Sequence, residues 1–341
     1  MRLDTGLVLL CFYSVLYQYN MLYAFYNRQY LAVCFFCYYR CKSKMFLCCL
    51  KGMVFLDVRD VLQKFDSMLA EGLVSEAGLL LEREAESCRR SGDYAACVTL
   101  FNELEGFWRA SGNRDKSFAA AEAALALLSS AGLEGGTDYA TTLLNYATAK
   151  AAFGFADEAL TLFKQAETIY DAQLSEGDYR FASLYNNMAQ SLLRMRKTSE
   201  AARYFDKSLL LLELTDDTES EKATCRVNIA FCLMAERRFD EARIRLEEAE
   251  AIFAAMADNP HCASMFAARG QLEYLLKNYA LSAEYYEKAA LSTEKFFGRS
   301  GSVYVTSCRN CAKAHEAAGC VEKAHIWRSA AERAISGSKE V

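Results

Sequence analysis

From about residue 53 to residue 336, apolar residues recur at spacings of three and four, and that recurrence is itself repeated along the chain. Leu143, Tyr146 and Ala147 share one face of a predicted helix, and Leu160, Phe163, Ala166 and Ile169 share one face of the next, which is the stripe of a helix half buried against neighbours. Between such helices stands a short turn signature closed by a small residue. It runs Gly72 to Ala77, Gly112 to Ser117, Gly154 to Ala159, Lys197 to Ala201, Arg238 to Ala242, Asn278 to Ser282 and Cys320 to Ala324. The closing residues 77, 117, 159, 201, 242, 282 and 324 are separated by 40, 42, 42, 41, 40 and 42 positions. A period held over seven units predicts seven tandem helix-turn-helix hairpins.

A second set of small residues, Ala147, Ala189, Ala230, Gly270 and Ala312, falls on the first helices, where two helices must approach closely. One hairpin cannot bury both of its apolar faces, so stability must come from stacking neighbours. The expected architecture is an all-α solenoid over residues 53–336, with a short flexible tail at 337–341. Proline is nearly absent and strand-like alternation is missing after position 53, in keeping with an all-α chain. The second unit departs from the pattern. Glu105 occupies a small-residue position, Gly106 suggests a one-residue offset, and the geometry is expected to be least regular around residues 98–135.

The pattern resembles the tetratricopeptide repeat, which has small residues at its eighth and twentieth positions and an aromatic near the twenty-fourth. Phe163, Phe205 and Tyr286 stand at that aromatic position. The unit is longer than the usual one of about 34 residues and is similar to the long repeats of kinesin light chains, as are the phrases Ala182 to Ala189 and Phe296-Phe297-Gly298. The resemblance implies a right-handed superhelix whose inner wall is made by the first helices, and a protein-binding scaffold without catalysis. It also implies that the sixth residue of each first helix faces the groove: Asn145, Asn187, Asn228 and Asn310, with Ala268 interrupting the series. A carboxamide offers a donor and an acceptor to any peptide backbone. Asn186 and Gln190 would flank Asn187, while Arg309 and Lys313 would favour an acidic or carboxylate-ended segment beside Asn310. The other reading is that these asparagines cap or bridge neighbouring helices. The lysine-rich clamp of the family's chaperone-tail binders is absent.

Charge narrows the field. With 39 basic and 44 acidic residues interspersed, the net charge of -5 leaves no basic stripe for nucleic acid. Cys308, Cys311 and His315, followed by Cys320 and His325, contain metal-ligand residue types. The first three, however, occupy the register that other repeats fill with packing residues such as Tyr185, Met188 and Leu192. No metal or other cofactor is expected. No phosphate loop, His-Glu-x-x-His or serine elbow is present, so an enzyme is not expected.

Residues 1–52 differ from the rest. They hold six of the fourteen cysteines, eight of the twenty tyrosines and a single acid, Asp4. Leu7 to Tyr26 is uncharged and long enough for one membrane span. The basic residues after it would place the repeats on the cytoplasmic side. The competing expectation is a native start at Met45 or Met53. The remaining cysteines read as small apolar residues in a reducing compartment. The leading expectation is therefore a cytoplasmic adaptor for a protein or extended peptide. A peptide-sensing regulator and a membrane-tethered assembly factor are the alternatives.

Overall fold

A computed structural model describes residues 57–256, 259–299 and 302–337. The segment 1–52 and residues 338–341 of the expected tail lie outside them. The described residues form fourteen helices and no strand. In chain order these are α1 (Val58–Ala70), α2 (Val74–Ser91), α3 (Tyr94–Ala110), α4 (Arg114–Ser130), α5 (Thr137–Ala152), α6 (Ala156–Gln173) and α7 (Arg180–Arg194). They continue as α8 (Thr198–Glu213), α9 (Glu219–Ala235), α10 (Phe239–Ala254), α11 (Cys262–Leu275), α12 (Tyr279–Phe297), α13 (Ser302–Ala317) and α14 (Val321–Gly337). Odd-numbered helices are the first helices of seven hairpins. Among the described residues, no helix is long and apolar enough to cross a membrane.

One turn geometry serves all seven hairpins. Five residues before each closing small residue the backbone enters the left-handed region: Gly72, Gly112, Gly154, Arg196, Arg237, Lys277 and Gly319 all have positive φ. The next residue donates its N–H back across the helix end, from Leu73 to Met68 O, Phe155 to Lys150 O, Arg238 to Leu233 O and Cys320 to His315 O, at 2.8–2.9 Å. These bonds satisfy carbonyls that a helix end would otherwise leave open. Glycine takes such a φ without strain, whereas a side-chained residue there costs about 1 kcal/mol. Arg196, Arg237 and Lys277 are exposed, and the same backbone bonds, from Lys197 to Leu192 O, Arg238 to Leu233 O and Asn278 to Glu273 O, close the turn around them. Helix starts are closed by side chains at Asp57, Asp93 and Asn113, whose oxygens accept from Arg59, Ala96 and Lys116 N–H.

The closing residues Ala77, Ser117, Ala159, Ala201, Ala242, Ser282 and Ala324 are all buried. So are Phe163, Phe205 and Tyr286 four positions later, with Leu81 and Leu246 filling the same place in other repeats. On α6 the buried line is Ala159, Phe163, Ala166 and Tyr170, while Leu160 and Ile169 are only half-buried. The stripe is rotated from the expected one because Tyr170 turns inward, its hydroxyl 2.8 Å from that of Thr141.

The chain divides into two compact units, one ending at Ser191 and one beginning at Leu192. In the first, α5 packs on α6 and also on α3 and α4, which explains why Ala140 to Ala147 are buried without a break. In the expected irregular stretch, α3 and α4 are unbroken helices, and Glu105 keeps the twelve-residue spacing to Ser117. Its carboxylate is fully buried, accepting from Arg109 Nε at 3.0 Å and from Ser117 Oγ at 3.4 Å. In the second unit, Arg226 of α9 bridges Glu213 of α8 and Glu248 of α10, and Arg269 of α11 reaches Glu250 of α10 at 2.7 Å. Charged pairs thus link successive helices beside the apolar contacts.

Candidate peptide-binding positions

The four asparagines expected to line a binding wall sit at one phase of their first helices, but their surroundings differ. Asn145 on α5 is 5% exposed. Its Nδ2 donates to Asn102 Oδ1 on α3 at 3.0 Å, and Asn102 Nδ2 donates in turn to Thr142 Oγ1 at 3.1 Å. This carboxamide bridges two adjacent first helices. Asn187 on α7 is half-buried and donates to the Ser183 carbonyl one turn earlier at 3.0 Å, leaving its own oxygen as an acceptor. Its helix neighbours Asn186 and Gln190 are half-buried as well. Asn228 on α9 and Asn310 on α13 are half-buried.

Asn310 opens onto a hollow of about 310 Å³ lined by Gln271, Tyr274, Leu275, Tyr286, Asn310 and Lys313. Three elements of the second unit supply it. Gln271, Tyr274 and Leu275 come from the last turn and a half of α11, Tyr286 from α12, and Asn310 and Lys313 from one face of α13. Tyr286 lies against Gly270, where an added Cβ would come within 2.9 Å of the ring. The glycine thus permits the ring's position. Ser282 Oγ donates to the Gly270 carbonyl at 2.7 Å and fixes the same contact from the other helix. Burial in this apolar setting pushes the Tyr286 phenol up to about 12, so it remains protonated at neutral pH.

Arg309 and Lys313 are both exposed, one turn apart, and neither forms an ion pair among the described residues. Lys313 Nζ stands 4.8 Å from the centre of the Tyr274 ring, a cation–π contact that steadies the ammonium without neutralising it. Sequence reading missed Gln271 and Tyr274. A signal for Gln271 was available, because it follows Gly270 as Gln190 follows Ala189 and Lys313 follows Ala312. Asn102 was missed because it stands one position out of phase with the other asparagines.

The metal-like constellation resolves into packing. Cys308 is buried with Tyr304, Val305, Ala331 and Ala334, and Cys311 with Ala283, Tyr286, Ala290 and Ala314. His315 is 4% exposed, its Nε2 at 2.8 Å from Glu287 Oε1, while Cys320 and His325 are exposed. Among the described residues, no group of three or more His, Cys, Asp or Glu side chains converges as a metal site.

Residues 180–255, which span the hairpins α7–α8 and α9–α10, match the family model described as tetratricopeptide repeat. No curated protein matches the chain. Among solved structures it is similar to a tetratricopeptide repeat protein from Parabacteroides merdae (TM-score 0.54, 15% identity, covering 81% of this chain and 92% of that one). It is similar also to BtubC (BKLC) from P. vanneervenii (TM-score 0.53, 18% identity, covering 67% and 93%). A third likeness is to the apo form of RapI (TM-score 0.53, 14% identity, covering 79% and 74%). At these identities the likeness is one of fold. The chain therefore carries tetratricopeptide repeats over residues 180–255, and the hairpins on either side share their fold.

Proposed function

We propose that this chain is a scaffold that holds another protein, through an extended peptide segment, along the first helices of its repeats. The observation that supports this most is the recurrence of half-buried carboxamides at one helical phase, Asn187, Asn228 and Asn310, on helices whose backbone bonds are already complete. Asparagine is a mediocre helix residue, so its repetition at one phase favours a shared role, and at Asn187 the side-chain oxygen remains an acceptor beside the bond to Ser183. Asn186 and Gln190 flank Asn187 in this reading. Asn145 is left out, since its carboxamide serves the contact between α3 and α5. A peptide backbone presents the donors and acceptors that such side chains match.

The test is a selection on the immobilised full chain from a phage-displayed library of random twelve-residue peptides. Enriched peptides should lose at least about tenfold in affinity, about 1.4 kcal/mol, on the Asn187→Ala/Asn228→Ala double variant while its helical circular dichroism is unchanged. Failure to enrich any sequence, or equal affinity for both proteins, overturns the proposal.

A further inference from the structure

The hairpin turns of the fourth, fifth and sixth repeats carry a cation where glycine would fit best. Arg196, Arg237 and Lys277 hold the positive-φ position that Gly72, Gly112, Gly154 and Gly319 hold elsewhere, and glycine takes that backbone at the least cost. All three belong to the unit that begins at Leu192. They are exposed and form no ion pair among the described residues, and the same holds for Lys197 beside Arg196. Neighbouring cations are neutralised, Arg238 by Glu236 and Glu241, and Arg243 by Asp240. The helix dipole favours positive charge at this end, but the four glycine turns form without a cation at the same place. The turn itself therefore does not call for these three charges.

The cation-bearing turns follow one another in space. Ser199, three residues after Arg196, donates to Glu236 Oε1, next to Arg237, at 2.7 Å. Helices α9 and α11, which lead into the turns of Arg237 and Lys277, pack on each other. Helices packed side by side lie about 8–10 Å apart, and that distance sets the interval between successive cations. An extended chain advances about 3.3 Å per residue, so every third residue of such a chain recurs at the same interval.

We propose that this edge of turns is a second binding surface, separate from the asparagine row, for an extended segment of a partner protein that carries acidic residues three positions apart. Each carboxylate meets one of Arg196, Arg237 and Lys277, and Lys197 adds charge at the first. A continuous anionic surface such as a bilayer fits less well. The exposed carboxylates of Glu200, Asp240 and Glu241 stand among the cations and would be pressed against it, whereas discrete acidic residues pass between them. Exposed ion pairs are individually weak, so binding depends on several being made at once and is screened by salt.

Backbone amide resonances of the three turns in the ¹⁵N-labelled full chain are followed during titration with two capped peptides of equal composition. One has glutamate at every third position and serine elsewhere, and the other has the same glutamates in one block. The spaced peptide should shift the turns of Arg196, Arg237 and Lys277 and bind at least about threefold tighter than the blocked one at low salt, the scale of an exposed ion pair or two. The Arg196→Gly/Arg237→Gly/Lys277→Gly variant installs the residue that the other turns use, so its helical circular dichroism should match wild type. Its affinity for the spaced peptide should fall at least about tenfold. Equal binding of the two peptides, shifts confined to other residues, or unchanged affinity in the triple variant overturns the proposal. So does sedimentation with phosphatidylserine vesicles that the triple variant loses, since the edge would then face lipid.

Discussion

Asn145 and Asn310 stand two positions before the small residue of their first helices, yet one is a structural bridge and the other opens onto a hollow. The difference lies in what the preceding repeat offers. Forty-three positions before Asn145 is Asn102, a complementary carboxamide on α3, and the two bond. Forty-three positions before Asn310 is Ala267, which can neither donate nor accept. The polar group of the third repeat is absorbed by stacking, and that of the seventh is left over. Position within a repeat sets where a side chain sits, while its neighbour one period away decides what it is free to do.

If polar groups in the first unit are structural, the largest response should come from the most buried of them. Arg109 is the cation beside the fully buried Glu105. Arg109→Met leaves that carboxylate with Ser117 alone, and breaking a buried pair by removing one partner costs about 3–5 kcal/mol. Urea denaturation of the full chain should show a loss of this size. Adding Glu105→Ala installs the residue that Ala147, Ala189 and Ala230 supply elsewhere and should recover most of the loss. A single variant as stable as the wild type would show that Glu105 is not held by charge.

The comparison itself is sharpened by the same substitution at both asparagines. Asn145→Ala removes the donor to Asn102 in a buried contact and should destabilise by about 1–2 kcal/mol. Asn310→Ala removes a side chain with no internal partner and should fall within about 0.5 kcal/mol of wild type. Peptide affinity should respond in the opposite order, with Asn310→Ala weakening a phage-selected peptide and Asn145→Ala leaving it unchanged. Equal stability losses at the two sites would erase the distinction.

The repeat was legible in the sequence because it rests on small residues at fixed spacing, alanine at Ala159 and Ala201 and serine at Ser117 and Ser282, all buried in helix contacts. The hairpin turn was only half legible. Gly72, Gly112 and Gly154 mark it by residue type, but Arg196, Arg237 and Lys277 adopt the same left-handed backbone closed by the same backbone bonds, with no glycine to mark the place. Cys308 and Cys311 lie in the core, as their register in the repeat implies. The fate of each asparagine was not legible, because a hydrogen bond between repeats depends on rotamers and on residues about 43 positions away. The hollow beside Lys313 likewise needs Tyr286 seated on Gly270, a contact between two helices that no single stripe displays.

The smallest expected effect also contrasts the two regions, through a pair of carboxylates that respond to pH with opposite sign. Burial dominates at Glu105, and even with Arg109 and Ser117 beside it the pKa is held above the usual glutamate range. At Glu287 burial again pushes upward, but the bonds from His315 and Trp327 and the charge of Lys323 outweigh it, and the pKa lies below the ordinary value. A raised folded-state value means that Glu105 contributes stability below the unfolded pKa near 4.5, lost as pH rises through the folded value. A lowered value means that Glu287 contributes stability above about 4.5, lost as pH falls through its folded value. Glu287→Gln should therefore flatten the loss of stability on the acid side of pH 4.5, and Glu105→Gln should flatten the decline on the alkaline side. Urea midpoints from pH 3 to pH 7 read both slopes in one experiment. Because Glu287 is partly exposed, its slope change is the lesser of the two and is weakened further by salt. A Glu287→Gln profile parallel to wild type in acid would mean that His315, Trp327 and Lys323 do not hold that carboxylate in its charged form.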